Sequence, residues 1–254
     1  MMYTNIRGMK GKKNGLTEIL HDKDPHIFLL TETQLRSNVG MQIEGYQFFC
    51  RKREGKNGGG VGILVKNEIR DKIIPHISDR PIEIMWISVR RGNSLPLFIG
   101  VYYGKQESRT SKDEIENEMS LLKEEIREMC NEGEIIIAMD ANAKIGLLGE
   151  EISRNGRLIL SVFQEEELHI LNGSEKCTGK VTRRNTKNHS EISAIDFVVA
   201  SHEATVMIKK VTIDEDGLFK IKGRTHETDH NTINIDICMN EVDKTKVVKK
   251  RTGI

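Results

Sequence analysis

Five short apolar runs recur along the chain, and each carries or leads into a polar residue. Ile27-Phe28-Leu29-Leu30 continues to Glu32, and residues 97–101 continue to Tyr102 and Tyr103. Ile135-Ile136-Ile137-Ala138-Met139 continues to Asp140 and Asn142. Asp196 stands inside the stretch SAIDFVVAS, and Asp229-His230 opens the run NTINIDI. Four of the runs have the length and unbroken apolar character of strands buried on both faces. In the fifth, Ile233, Ile235, Ile237 and Met239 alternate with Thr232, Asn234, Asp236 and Cys238, the period of a half-buried strand. An earlier strand, Tyr3-Thr4, leads to Asn5-Ile6.

Helices separate these strands. Ser111 and Glu114 form a capping box, and Ile115, Met119, Leu122, Ile126 and Met129 recur at helical spacing up to Gly133. That stripe reads as core packing. NGLTEILHDKD predicts a shorter helix before Pro25, and RLILSVFQEEELHILNG a third that closes at Asn172-Gly173. GKNGGGVGILV lacks the Lys-Ser/Thr of a phosphate loop, and a strand follows its glycines where a helix should. It predicts a glycine-rich hairpin. With a second hairpin through PIEIMWISVRRGNSLPLFIGVYY, the expectation is an α/β fold whose sheets are mixed.

The 254 residues suffice for a sizeable core. A net charge of +1 gives no global field for nucleic acid, so such binding must come from local patches. Arg51, Lys52, Arg53 and Lys56, and Lys180, Arg183, Arg184 and Lys187, are candidates to track a phosphate backbone; a solvated surface is the equal alternative. Four scattered cysteines show neither zinc spacing nor a disulfide framework. With no signal-like or membrane-spanning stretch, they predict an intracellular chain, nuclear or cytoplasmic and not secreted, with no membrane partner. Residues 241–254 read as a basic tail or the start of a linker, after a domain spanning residues 1–240.

His226-Glu227-Thr228-Asp229-His230 matches the zinc-protease pattern H-E-x-x-H. Both histidines bind one metal only on a helix, and a strand follows here, so the zinc reading fails. Taken singly, each polar strand-end residue can cap a turn or pair with a surface lysine. Together they suit attack of water on a phosphate ester. Hard oxygen donors such as Glu32 suit Mg²⁺ or Mn²⁺. A carboxylate fixes a histidine's tautomer, an aspartate can take a proton from water, and amides and phenols donate to phosphate oxygens.

These stretches, NIRG at Asn5, LLTET at Glu32, VYY at Tyr102, MDANAKIG at Asp140 and Asn142, SAIDFVVAS at Asp196 and TDHN at Asp229 and His230, resemble the endonuclease/exonuclease/phosphatase superfamily. They look most like the endonuclease domain of non-LTR retrotransposons and related apurinic/apyrimidinic-like endonucleases. The resemblance spans roughly residues 3 to 240. It implies a four-layered sandwich of two packed mixed β-sheets flanked by helices. It implies a Mg²⁺-dependent (or Mn²⁺-dependent) endonuclease that nicks DNA, with a reverse-transcriptase domain, absent from this chain, as a further partner. Glu32 would bind the metal, assisted by Asn5. Asp196 would pair with His230, and Asp140 would orient and deprotonate water. Asn142 and Tyr102 would bind phosphate, with Arg183 among the substrate contacts, and Asp229 would support the metal or the histidine. The chain departs from the family at Met139 and Ala141, where Gly and Phe are usual, and at Tyr103-Gly104-Lys105, where relatives often have Ala-Pro-Asn. Crowding at Met139 motivates the alternative, a catalytically weakened copy that binds nucleic acid or protein.

Overall fold

The computed structural model describes residues 1–37, 41–55, 58–186, 188, 190–224 and 227–239. His226, Lys56, Lys187 and the expected basic tail lie outside them. One mixed sheet is built from β1 (Met2–Asn5), β2 (Ile27–Thr31), β3 (Tyr46–Arg51), β4 (Val61–Lys66), β10 (Cys177–Thr178), β14 (Ile208–Ile213) and β15 (Ile233–Ile237), in the order β10-β14-β15-β1-β2-β4-β3. The second contains β5 (Ile73–Ile77), β6 (Glu83–Val89), β7 (Leu97–Tyr103), β8 (Glu134–Asp140), β9 (His169–Ile170) and β13 (Asp196–Ala200), in the order β5-β6-β7-β8-β13-β9. β11 (Arg183–Arg184) and β12 (Ile192–Ser193) form a small hairpin. Both large sheets are mixed: β1 runs parallel to β2 and β10 to β14 in the first, and β7 runs parallel to β8 in the second, inside antiparallel surroundings.

Side-chain alternation divides the core into three layers. Inward residues of both sheets, such as Tyr3, Leu29 and Ile63 from one and Ile99, Ile136 and Val198 from the other, pack face to face. The outer face of the second sheet, with Ile135, Ile137, Met139 and Phe197, packs under α2 (Lys112–Glu132) and α3 (Arg154–Glu165). The outer face of the first, with Met2, Phe28 and Leu30, packs under α1 (Lys13–Lys23). Helix, sheet, sheet and helix make the four expected layers. A short helix α4 (His202–Met207) leads into β14. Among the described residues no helix is long and apolar enough to cross a membrane.

Most sequence expectations for local structure hold. α2 starts at the Ser111 capping box, and Ile115, Met119, Leu122 and Ile126 are buried. Gly133 ends the helix in extended backbone, and its role is space: a Cβ there would stand 2.3 Å from Pro96 O. The glycine-rich segment joins β3 to β4 as a hairpin, and the second hairpin joins β6 to β7. The third helix is shorter than its pattern. It ends at Glu165, Glu167 takes a left-handed φ of 53°, and His169-Ile170 pairs with β13 as a strand. Leu168 and Leu171 extended the apolar pattern because both are buried, but in a strand and its flanks.

Candidate active site at the ends of two facing sheets

Register brings the polar residues together. Asp140 is paired with Tyr103 on one side and Asp196 on the other, so three inward polar side chains form one row across β7, β8 and β13. Across the interlayer, β1 and β2 end at Asn5 and Thr31, followed by Glu32 at a left-handed φ of 51°. A non-glycine residue there is uncommon and costs free energy. The turn that holds it directs Glu32 toward the row.

The contacts form a continuous network. Asn5 Nδ2 donates to Asp140 Oδ2 at 2.7 Å and to Glu32 Oε1 at 3.1 Å. Tyr103 donates its phenolic hydrogen to Glu32 Oε1 at 2.8 Å. His230 Nδ1 lies 2.9 Å from Asp196 Oδ2, while its Nε2 faces Asp140 Oδ2 at 3.9 Å. Tyr3 donates to Asp196 Oδ1 at 2.8 Å, so both oxygens of that carboxylate are engaged. Thr182 Oγ1 accepts the Asp196 N–H, and Asn172 Nδ2 donates to Asp196 O, which fix the strand from both flanks. Asn142 has a left-handed φ of 47°, its N–H donates to Asp140 Oδ1 at 3.0 Å, and its Nδ2 donates to Gly104 O at 2.8 Å. Gly104 fits because a Cβ there would stand 2.7 Å from Ala141 O. Asp229 Oδ2 lies 3.3 Å from both Arg7 and Arg183, and Asp229 Oδ1 is buried with no partner among the described residues.

Burial sets the protonation chemistry. It lifts the Asp140 carboxyl to about 7, with the Asp196 charge adding to the effect and His230, Asn5 and the Asn142 N–H opposing it. Burial alone would neutralise His230. The Asp196 carboxylate, with Asp140 and Asp229, outweighs this and raises the imidazole to about 9. At Asp229 burial is outweighed by His230, Arg7 and Arg183, which hold the carboxyl below its ordinary value.

One sequence expectation is corrected. Tyr102 is not in this network: consecutive strand residues point to opposite faces, and Tyr102 packs under α2 beside Glu118. Tyr103 takes the position expected for it. The amide nitrogen of Asn5 faces the carboxylates, donating to Asp140 and Glu32, while its oxygen accepts the Arg7 N–H at 3.0 Å. Met139 and Ala141 face the helix layer, so the departures there leave Asp140 uncrowded. The basic run near residue 51 is used internally: Arg51 donates to Arg80 O, and Arg53 pairs with Glu83 over the Tyr103 ring. Tyr3, Arg7, Thr182 and Asn172 were not singled out as site residues. Arg7, beside Asn5 in NIRG, and Asn172, in the LNG that closes the third helical pattern, had a local signal.

Asp140, Asp196 and His230 bring buried ligand atoms within 4.8 Å of one another, but the Asp196 oxygens are engaged and His230 is held protonated, which leaves the carboxylates of Asp140 and Glu32 as the hard donors for a divalent cation. Glu32 is half-buried, and among the described residues its Oε2 meets only Gln34 Nε2, at 3.4 Å.

The fold and this network define a member of the endonuclease/exonuclease/phosphatase superfamily. The chain belongs to the endonuclease-reverse transcriptase family, whose model matches residues 97–234. No curated protein matches it in sequence. Among solved structures it is similar to the endonuclease domain of TRAS1, a telomere-specific non-LTR retrotransposon, at 20% identity and a TM-score of 0.70, covering 94% of this chain and 98% of that one. It is also similar to the 3′ phosphatase NExo from Neisseria bound to a product DNA hairpin, at 16% identity and 0.73 over 93% and 98% of the chains. A third is the AP endonuclease LMAP from Leishmania major, at 12% identity and 0.72 over 92% and 86%.

Proposed function

We propose that the chain is a Mg²⁺-dependent phosphodiesterase that nicks DNA, as in target-site cleavage by a non-LTR retrotransposon. The observation that carries this reading is the junction of the His230–Asp196 pair with Asp140 and, through Asn5, with Glu32 at one mouth between the sheets. Family membership and the DNA-bound 3′ phosphatase among its structural relatives support nucleic acid as the substrate.

Glu32 Oε2 would hold the metal, since the oxygens of Asp196 are taken by Tyr3 and His230. Bound there, Mg²⁺ supplies neutralising charge to the phosphate and the leaving oxygen. Asp140 orients a water and takes its proton as the water oxygen bonds to phosphorus. A carboxyl raised to about 7 is matched to that task near neutral pH. His230, kept protonated by Asp196, donates from Nε2 to a phosphate oxygen. Tyr103 and Asn142 flank the phosphate at the mouth, and Asp229 holds Arg7 and Arg183 beside it. The P–O bond to the 3′-oxygen breaks, the phosphate stays on the 5′ end, and the leaving 3′-oxygen takes a proton from solvent water to become a 3′-hydroxyl able to prime reverse transcription. A reverse-transcriptase domain is the partner this product would serve.

Supercoiled plasmid tests the reading. Conversion to the open circle in Mg²⁺, stopped by EDTA, is expected. A folded protein that leaves the plasmid intact in Mg²⁺ and in Mn²⁺ would refute nicking.

A further inference from the structure

A cleft of about 400 Å³ opens beside the site on the Arg7 side. Its charged lining is entirely cationic: Arg7, Lys10, Lys12 and Arg224, with no carboxylate. The turn after β1 brings the first three together, and Arg224 is tied to it by its N–H, which donates to Gly11 O at 3.2 Å. Lys12 is 3% exposed, and its ammonium donates to Arg7 O at 2.7 Å. Lys10 and Arg224 are exposed, and no carboxylate of the described residues forms a salt bridge with either. Four like charges around one cavity repel one another, and an anion in the cavity relieves that repulsion. The cleft is continuous with the site through Arg7, which pairs with Asp229, and Gln34, which reaches Glu32.

We propose that this cleft holds a backbone phosphate of the nucleic-acid strand other than the one that is cleaved. The proposal rests on the endonuclease reading. A second phosphate gripped by guanidinium and ammonium groups would fix the register of the strand over Asp140 without reading its bases. Arg224 is the informative member, because it comes from the loop before Asp229 and touches no reacting atom.

The test uses a labelled duplex with a mapped nick, bound in EDTA at several salt concentrations. Arg224→Ala and Lys10→Ala are each expected to weaken binding roughly fivefold and to lower the log–log salt slope by about one. Cleavage of fully bound duplex should stay within about twofold of the unsubstituted protein, as neither side chain reaches the scissile bond. Methylphosphonates placed singly along the strand should reveal one position, apart from the nick, that costs the unsubstituted protein the same factor. The same methylphosphonate should cost Arg224→Ala less than it costs the unsubstituted protein. Arg224→Lys should recover most of the affinity. Variants that bind with unchanged affinity and slope would overturn the cleft alone, as would an Arg224→Ala protein that loses as much to that methylphosphonate as the unsubstituted protein does. An unsubstituted protein that neither binds nor nicks the duplex would overturn the endonuclease reading and this proposal with it.

Discussion

Tyr102 and Tyr103 are neighbours on β7, and each puts a phenol beside a carboxylate. Tyr103 faces the other sheet and donates to Glu32, which is half-buried at an open mouth. Tyr102 faces α2 and lies beside Glu118, which is 2% exposed. Both phenols are held above their ordinary pKa by burial, so a raised pKa does not separate the two places. Access and convergence separate them. The inward side gathers Asp140, Asp196, His230 and Asn5 from four strands and their flanks, whereas the outward carboxylates are consumed by the fold. Glu125 accepts from Ser78, Arg80 and Trp86, and Glu118 accepts the Lys105 N–H. The outward cluster holds a helix on a sheet. The inward one leaves donors and acceptors for a ligand.

The largest expected effects break the inward cluster. His230→Ala and Asp196→Asn should each slow nicking by ~10²–10⁴-fold. The two residues act as one unit, so the double variant should be hardly slower than the worse single one. Rates close to additive would separate the pair. Next comes the contrast of the tyrosines. Tyr103→Phe removes a hydrogen bond to a charged oxygen and should slow nicking about tenfold, most visibly at low Mg²⁺. Tyr102→Phe should stay within about twofold. Equal losses would erase the distinction drawn between the two faces.

Glu118 sharpens the comparison through stability. Burial raises its carboxyl to about 7, against opposition from Lys105 and Tyr102. An acid raised in the fold gives up a proton more readily when unfolded. Its cost is therefore absent below the unfolded value near 4.5, grows with pH, and is complete above about 7, where it reaches about 3 kcal/mol. Glu118→Gln keeps an acceptor for the Lys105 N–H. It should match the unsubstituted protein in urea unfolding at pH 4.5 and exceed it by ~1–3 kcal/mol at pH 8. A gain that does not vary with pH would contradict the origin in burial.

The apolar runs made the strands and their polar ends legible, since buried strands impose that pattern on any sequence. The side chains of Asn5, Glu32, Asp140, Asp196 and His230, chosen from those ends, stand in one connected network; Asn142 joins it through its N–H, and Asp229 lies beside it with Arg7 and Arg183. The parity of β7 was not legible. All seven of its residues are buried, so nothing in the pattern tells which tyrosine faces inward. The contacts of Tyr3 and Asn172 with Asp196 are likewise hidden: Asp196 lies far off in sequence, and only the packed sheets join them. The end of α3 was overrun because Leu168 and Leu171 continue an apolar pattern that serves a helix and a strand alike. The cationic cleft depends on a loop at residue 224 folding against the turn at residue 11, a contact that local reading does not reach.

The most direct measurement sets Asp140→Asn beside Glu118→Gln in the plasmid assay with saturating Mg²⁺. Both side chains are buried carboxylates raised to about 7, Asp140 on the inner face of the second sheet and Glu118 on the helix that covers its outer face. The account predicts a folded Asp140→Asn protein that fails to nick and a Glu118→Gln protein that nicks at close to the unsubstituted rate. Persistent nicking by Asp140→Asn would contradict the placement of the reaction between the sheets.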